Sequence, residues 1–333
     1  MINSQFYFMI DTFNKINQEI IAAGKVLIIT HQGPDGDALG SALSLLMYLK
    51  ALNKQAMILA TGELAEYYLF LPHSGEVVSD PKIIKDNWDL IIFVDACNIS
   101  YTGVEDKYLI GKRVVNIDHH QTNNYYGDIQ AINSLASSTC EIVYQFFIAN
   151  NILIDRRIAT CLLTGILTDT GGFTNSATTL ASMTIASELI KKGAKIHQTF
   201  NYIVKNKSIN GLKLWGVVLS RLKVNEKYNL AYTYIKEDDY RQFNVSEEET
   251  DGLINFLNAT AGVLAVMLVK INSTGTRISM RTTRNDVDVS HLASLFGGGG
   301  HKKAAGFTIP WVVQEQGGEL FVLDEKIGYD NIR

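Results

Sequence analysis

The chain has 333 residues, of which 47% are hydrophobic and 19% charged, and its formal net charge is -4. This length favours two domains over one, and the composition is typical of a globular protein with a large buried interior. Proteins that track along long nucleic acids usually carry a broad basic surface, so this acidic chain is not expected to act on long DNA or RNA.

The N-terminal segment 1–24 has the spacing of an amphipathic helix, interrupted by Asp11, Lys15 and Glu19. No stretch of the sequence approaches the ~20 apolar residues that span a bilayer, and no signal-peptide pattern is visible. The few cysteines include no CxxC pair, which suits a reducing compartment. These cysteines are Cys97, Cys140 and Cys161. We therefore predict a cytoplasmic protein without a membrane partner.

Strand-like and helical patterns alternate in the N-terminal half. Short apolar runs predict strands, and a longer pattern after the first of them predicts a helix. Leu90–Val94 is apolar throughout, as expected of a strand buried on both faces. The predicted strands are Val26–Thr30, Ala56–Ala60, Leu90–Val94 and Val114–Ile117, and the helix is Ala38–Leu52. This alternation indicates an α/β domain with a parallel sheet and helices on both faces.

The pattern becomes mainly helical over residues 138–192, so we place the first domain at 1–190. We interpret the polar segment 191–211 as a connector between the domains, with a helical stretch at Ile196–Val204. The second domain, 212–333, mixes strands and helices at hairpin-like spacing, which predicts a smaller α+β fold. We expect a cleft between the two domains.

Within the second domain, Ser246 and Glu249 resemble a capping box at the start of a helix. The predicted helices are Leu212–Leu222, Ser246–Ala259 and Val289–Phe296, and the predicted strands are Leu230–Ile235, Val263–Ile271, Arg277–Arg281 and Phe307–Ile309.

The first chemically informative segment follows the first predicted strand. It contains His31, Asp35 and Asp37, and glycines at 33 and 36 allow the loop to turn sharply. Ligands of open α/β sheets bind at this carboxyl edge, and an imidazole with two carboxylates suits manganese or a similar divalent ion. The alternative is an ordinary polar loop in which Asp37 caps the following helix.

Further acidic and imidazole side chains stand at the ends of later elements. Asp95 follows one buried strand, and Asp118-His119-His120 follows the next. Asp169 lies where a helical pattern stops at glycines. Asp95 and Asp169 could each be a helix cap or turn residue. Consecutive ionisable groups at a strand end are costly unless they bind something.

The combined charge of these carboxylates also indicates a metal site. If Asp35, Asp37, Asp95 and Asp169 converge, each close pair repels by roughly 1–4 kcal/mol even with generous screening. Two divalent cations would supply the four positive charges that cancel this repulsion. The sequence therefore predicts a binuclear site.

A run of four glycines, Gly297–Gly300, lies between a predicted helix and a predicted strand. Such runs are usually flexible linkers, but glycine also lets backbone N–H groups approach an anion closely. No GxxxxGK motif is present, which excludes a Walker-type phosphate loop. Basic residues outnumber acidic ones by four between Lys270 and Lys303. We favour a phosphate-binding patch in which Arg281 and His301 contact a nucleotide; a solvated surface is the alternative.

Taken in order, His31-x3-Asp35-x-Asp37, Asp95, Asp118-His119-His120 and Asp169 resemble the motifs of the DHH phosphoesterase superfamily. Gly297–Gly300 followed by His301 resembles the glycine-rich motif of the DHH-associated C-terminal domain. The motifs span nearly the whole chain. The chain length and two-domain layout look most like the nanoRNase/pAp phosphatase (NrnA-type) branch.

This resemblance implies roles for individual residues. One metal ion would bind His31, Asp35 and Asp95, and the other Asp37, Asp95, His119 and Asp169. Asp118 would orient the histidines, and His120 would face the substrate phosphate. The implied substrate-binding residues are Arg281, Gly298, Gly299, Gly300 and His301.

We therefore expect a manganese-dependent phosphoesterase in which water activated by two metal ions cleaves short oligoribonucleotides or dephosphorylates 3′-phosphoadenosine 5′-phosphate to AMP. Alternatives are a phosphodiesterase for cyclic or linear dinucleotides such as pApA, and a catalytically silent nucleotide sensor. A RecJ-like exonuclease would carry more positive charge, and a family II pyrophosphatase a different C-terminal domain. A homodimer is left open.

Overall fold

The computed structural model describes residues 4–203, 207–273, 275–311, 313–316 and 319–322. The chain divides into two compact units, Met1–Asn206 and Lys207–Arg333. Residues 1–3 of the predicted N-terminal helix and Val204 of the predicted connector helix lie outside the described residues. The predicted domain limits, 1–190 and 212–333, stay predictions.

In the described part of the first unit, six strands form one parallel sheet in the order β3-β2-β1-β4-β5-β6. The order reverses between β1 and β4, the point at which open α/β sheets bind ligands. The strands are β1 (Lys25–Ile29), β2 (Gln55–Leu59), β3 (Val77–Val78), β4 (Leu90–Val94), β5 (Arg113–Asp118) and β6 (Ile129–Ile132).

The α-helices of this unit pack on one face of the sheet. They are α1 (Ser4–Ala22), α2 (Gly36–Ala51), α3 (Thr139–Ala149), α4 (Arg156–Asp169), α5 (Leu180–Lys191) and α6 (Ile196–Ile203). Ile196 and Phe200 of α6, inside the predicted connector, pack against the same core. Among the described helices of the whole chain, none combines the length and the apolar character needed to cross a membrane.

The second face of the sheet is covered differently from the prediction of helices on both faces. Short 3₁₀ turns at Pro81–Lys85 and Ile99–Thr102 supply its core contacts, with loop residues around them. Gly103, the C-cap of the Ile99–Thr102 turn, has a φ of 72°, which L-residues rarely adopt and which ends that turn. The mixed α/β class is confirmed, but the second layer is thinner than expected.

Glycines allow α2 and α4 to approach each other closely. A Cβ at Gly165 would lie 2.6 Å from Asp37 Oδ1, and a Cβ at Gly40 would clash with the backbone carbonyl of Cys161 in α4. The seam therefore holds the start of α2, which bears Asp35 and Asp37, against the end of α4.

In the described part of the second unit, a mixed sheet has the order β11-β12-β10-β9-β8-β7, with β8 and β9 parallel and the other pairs antiparallel. The strands are β7 (Lys223–Asn225), β8 (Leu230–Lys236), β9 (Ala265–Asn272), β10 (Gly275–Arg281), β11 (Gly299–His301) and β12 (Ala304–Ile309); β13 (Val313–Gln316) and β14 (Glu319–Val322) form a separate ladder. The α-helices are α7 (Ile209–Ser220), α8 (Glu237–Phe243), α9 (Leu253–Leu257) and α10 (Val289–Leu295).

The single helix predicted at Ser246–Ala259 is wrong. A 3₁₀ turn at Glu247–Thr250 is separated from α9 by Gly252, whose φ is 82°. Ser246 makes no side-chain cap hydrogen bond, so the predicted capping box is also wrong. The Glu249 carboxylate instead accepts a hydrogen bond from the backbone N–H of Ser208, 3.1 Å away at the start of α7.

Candidate active site

The carboxyl edge of the first sheet brings together the acidic and imidazole residues singled out in the sequence. They follow β1, β4 and β5 or lie at the start of α2 and the end of α4. Ligand atoms within 4.8 Å of one another belong to the sets His31, Asp35, Asp95; Asp37, His119, Asp169; and Asp95, Asp118, His120.

Asp35 and Asp37 have different roles at the start of α2. Asp35 is the N-cap, and its Oδ1 accepts from the N–H groups of Asp37 and Ala38 at 2.9 and 3.1 Å. Asp37, which the alternative reading made the cap, is fully buried. Its two oxygens accept from the N–H groups of Thr139 (2.6 Å) and Cys140 (2.8 Å), the first residues of α3.

Asp95 occupies the centre of the cluster. Its φ of 56° is left-handed, a conformation that costs a non-glycine residue about 1–3 kcal/mol. Its Oδ2 lies 3.7 Å from His31 Nε2, and its Oδ1 lies 3.6 Å from both His119 Nε2 and His120 Nδ1. Strained residues concentrate at functional sites, and this one directs a carboxylate toward three imidazoles.

Asp118 contacts both of the histidines that follow it. Its Oδ1 accepts from the backbone N–H of His119 (2.9 Å) and lies 2.8 Å from His120 Nδ1, while its Oδ2 accepts from Asn123 Nδ2 at 2.6 Å. The His119 ring lies between the Ala136 carbonyl (3.4 Å from Nδ1) and Asp169 (3.0 Å from Nε2).

The electrostatics of the cluster are those of crowded carboxylates. Burial and then the nearby Asp35 carboxylate raise the pKa of Asp95 to about 6. Burial, followed by the charges of Asp95 and Asp169, raises the pKa of Asp37 as well. Burial lowers the pKa of His31, but Asp35 and Asp95 outweigh it and raise that pKa to about 10. The cluster therefore favours additional positive charge.

These residues fit divalent metal ions. In the described part of the chain, the recorded ion pairs of Asp95 and the seven Asp and His groups around it are with one another, and none is with a lysine or arginine. Buried carboxylates need a compensating charge, and carboxylate oxygens with imidazole nitrogens are suitable donors for Mn²⁺ or a similar ion.

Sequence reasoning missed the residues that hold the cluster together. Thr139 Oγ1 donates to Asp95 Oδ1 at 3.0 Å, and Asn123 bridges Asp118 and the backbone N–H of Tyr125. A signal existed for Thr139, because Ser138-Thr139 at the start of a helical pattern is typical of an N-terminus whose N–H groups need acceptors.

In the second unit, Arg281 and His301 share a row of the sheet. Arg281 of β10 pairs with Ala304 of β12, which pairs with His301 of β11. Laterally paired residues project from the same face, so both side chains face one side of the sheet. Arg281 Nε also donates to Asn255 Oδ1 at 3.0 Å, and burial lowers the pKa of Arg281 to about 10.

The glycine run is part of a strand pair. Gly299 pairs with Gly306 in the β11–β12 ladder, and the N–H of Gly298 donates to the Ala293 carbonyl at the end of α10 (2.9 Å). A Cβ at Gly298 would lie 2.5 Å from Phe307 Cβ, and one at Gly300 2.7 Å from Ala305 Cα. Close backbone packing therefore explains these glycines without a ligand.

Two protein-family models match the chain. The model of the DHH family N-terminal domain matches residues 25–166, and the model of the DHHA1 domain matches residues 227–320. The chain is a hydrolase that acts on phosphate ester bonds. It belongs to the DHH family and carries a DHHA1 domain in its C-terminal part.

Individual relatives differ in how much of the chain they match. The bifunctional oligoribonuclease and PAP phosphatase NrnA of Thermus thermophilus is 31% identical over 86% of this chain and 84% of its own length. A manganese-dependent inorganic pyrophosphatase, by name, of Lactococcus lactis is 28% identical over 50% of this chain and 54% of its own. The crystal structure of an exopolyphosphatase-related protein from Bacteroides fragilis has a TM-score of 0.81 at 26% identity, covering 89% of this chain and 90% of that one.

Proposed function

We propose that this protein is a manganese-dependent phosphoesterase that cleaves short oligoribonucleotides to mononucleotides and dephosphorylates 3′-phosphoadenosine 5′-phosphate to AMP. The observation that carries the proposal is the convergence of Asp35, Asp37, Asp95 and Asp169 with three histidines at one sheet edge. The NrnA relative, whose name states both activities, matches most of the chain.

In this proposal the cluster holds two divalent ions. His31, Asp35 and Asp95 would hold one, and Asp37, Asp95, His119 and Asp169 would hold the other, with Asp95 belonging to both sets. When bound, such ions supply a water of lowered pKa and neutralise charge on phosphoryl oxygens. Manganese fits the mixed oxygen and nitrogen donors, and the name of the pyrophosphatase relative includes the same metal.

His120 is the proposed general acid. Because Asp118 Oδ1 lies 2.8 Å from Nδ1, that nitrogen is fixed as the donor to Asp118, and the ring orientation is set. The other ring nitrogen then faces the substrate, where it protonates the oxygen that leaves phosphorus. Water supplies the oxygen that replaces it, so the products are a phosphate monoester or inorganic phosphate and an alcohol.

The second unit would bind the rest of the nucleotide. Arg281 and His301 project from one face of the sheet, where a guanidinium and an imidazole can contact phosphate and base. In this proposal the substrate also approaches the backbone of Gly298, Gly299 and Gly300, although close packing by itself already accounts for Gly298 and Gly300. The domain limits given above, the cleft between the domains, a cytoplasmic location and a homodimer stay predictions.

The extent of the matches favours a nucleotide over pyrophosphate. The NrnA relative aligns with 86% of the chain, whereas the pyrophosphatase aligns with 50%. If the substrate contacts both units, relatives that share this substrate are expected to have both domains. The alternative of a silent sensor is not favoured, because each expected ligand is present at the sheet edge.

A substrate panel with added Mn²⁺ tests the proposal. We expect turnover of a diribonucleotide and of 3′-phosphoadenosine 5′-phosphate, with slower turnover of pApA and of cyclic dinucleotides. Pyrophosphate as the sole good substrate would contradict the proposed role of the second unit. Nucleotide binding without any turnover would favour the sensor instead.

A further inference from the structure

Thr139 lies at the meeting point of the two proposed ligand sets. It is the first residue of α3, directly after the N-cap Ser138, and it is fully buried. Its backbone N–H donates to Asp37 Oδ2 at 2.6 Å, and its hydroxyl donates to Asp95 Oδ1 at 3.0 Å. One residue therefore contacts a carboxylate of each set.

The two contacts arise from different parts of Thr139. The first N–H groups of a helix have no partner within the helix, so the N–H groups of Thr139 and Cys140 would be available at this position whatever the side chains. The hydrogen bond to Asp95 depends on the hydroxyl alone. Substitution at 139 can therefore remove the Asp95 contact and leave the Asp37 contact in place.

Asp95 needs such support more than the other acidic residues do. Its left-handed backbone, with φ of 56°, is a sparsely populated conformation that persists only when its surroundings fix it. Its N–H donates to the Ile117 carbonyl at 3.0 Å, which fixes the backbone but not the carboxylate. The Thr139 hydroxyl acts on Oδ1, the oxygen 3.6 Å from both His119 Nε2 and His120 Nδ1.

We propose that Thr139 is a positioning residue that orients the Asp95 carboxylate between the two ligand sets and thereby couples metal binding at one set to the other. This inference rests on the metal centre of the proposed function. If the hydrogen bond of the buried Thr139 hydroxyl served only folding, its loss would lower folding stability but leave metal affinity unchanged. This difference makes the two roles separable.

The experiment compares Thr139→Val with Thr139→Ser in the full chain. Valine keeps the shape and the backbone N–H but lacks the hydroxyl, whereas serine keeps the hydroxyl. Mn²⁺ binding is measured by titration calorimetry of the metal-free protein. We expect about 10- to 100-fold weaker binding for Thr139→Val and recovery to within about threefold of wild type for Thr139→Ser.

Thr233→Val is the matched control. The Thr233 hydroxyl is also fully buried and donates to the Val218 carbonyl at 2.6 Å, but it lies in the second unit. We expect it to lower the melting temperature without changing Mn²⁺ affinity. In steady-state assays Thr139→Val is expected to lower kcat while KM for the nucleotide stays within about threefold, because the hydroxyl acts on the metal ligands rather than on the substrate.

Equal Mn²⁺ affinity of Thr139→Val and wild type would overturn the inference. If Asp95→Asn loses the metal while Thr139→Val keeps it, the inference alone fails and the metal centre stands. If wild type binds no Mn²⁺, the proposed function fails and the inference fails with it. Should Thr139→Val not fold, Thr139→Ala removes the hydroxyl without the added methyl group and must show the same loss.

Discussion

The carboxyl edge of the first sheet and the glycine hairpin of the second unit (β11–β12) are both predicted from the sequence to be functional. Their structures differ in whether packing alone accounts for the residues found there. At the sheet edge, buried carboxylates with raised pKa values crowd together around Asp95. In the hairpin, Gly298 and Gly300 are required by close contacts with β12. Without a ligand, the carboxylates of the sheet edge lower folding stability, whereas the glycines of the hairpin do not.

This contrast separates two kinds of sequence signal. Converging like charges lower folding stability, so their presence indicates a functional site in which a bound ligand offsets the repulsion. A glycine run whose backbone packs closely does not lower folding stability, so the run alone does not indicate a function. Here the indication comes from the residues around it, Arg281 and His301. The following predictions test each side of the contrast, beginning with the largest effect.

Asp95→Asn is expected to have the largest effect. Asparagine keeps the size of the side chain and tolerates the left-handed backbone, so the change removes mainly the charge. We expect kcat/KM in Mn²⁺ to fall by about 1,000-fold or more, equivalent to about 4 kcal/mol. Asp155→Asn is the control, since Asp155 caps α4 and pairs with Arg157, away from the acidic cluster. Near-normal activity of Asp95→Asn would show that the carboxylates do not form the catalytic centre.

His120→Ala is expected to lower kcat by about 100-fold or more on a diribonucleotide, as general acids typically contribute this much. With a p-nitrophenyl phosphodiester, whose leaving group needs no proton, we expect a loss of less than about tenfold. His197→Ala, an exposed change on α6, is the control. The same loss with both substrates would argue for a role in binding instead of proton transfer.

Gly300→Ala tests the hairpin side of the comparison. Gly300 has φ of 136°, and an added Cβ would lie 2.7 Å from Ala305 Cα. We expect the second unit to lose about 2 kcal/mol of unfolding free energy, seen as a lower calorimetric transition. Gly216→Ala, in open space on α7, should instead stabilise by up to about 1 kcal/mol. An unchanged transition for Gly300→Ala would contradict the packing explanation.

The raised pKa values predict proton release on metal binding. Without metal, His31 (pKa about 10) and part of the Asp95 population (about 6) hold protons at neutral pH that bound metal must displace. Mn²⁺ affinity is therefore expected to rise by up to about tenfold per pH unit for each proton released, between pH 6 and 10. Calorimetry in buffers of different ionisation enthalpy measures the number of protons released. The absence of proton release at pH 7 would contradict these pKa directions.

The same groups set the stability of the metal-free protein. His31 contributes stability below pH 6.5, its ordinary pKa, and loses it as the pH rises through about 10. The cost of ionising Asp95 is absent at acidic pH and grows as the pH rises through about 6. Both effects make the metal-free first unit less stable as the pH rises.

Local patterns predicted four of the six strands described in the first sheet, because strands buried in its interior are rich in apolar residues. Leu90–Val94 has the predicted bounds, and the other three predicted strands differ by one residue at each end. The short edge strands β3 and β6 were not predicted. The sheet edge then brings His31, Asp95 and His119 together through a general property of parallel strands. The contact from Thr139 to Asp95 could not be predicted, since it joins residues 44 apart through tertiary packing. The break at Gly252 depended on a backbone angle that the helical pattern did not reveal.

The glycine seam between α2 and α4 has a consequence for how this protein exchanges hydrogen with solvent. The described residues of α2 are buried from Gly36 to Leu49, and Gly165 leaves no room for a side chain beside Asp37. Neither helix can slide or fray there without disrupting the interior. Deuterium uptake by the amides of α2 should therefore require global opening of the first unit, and its rate would report the free energy of that opening.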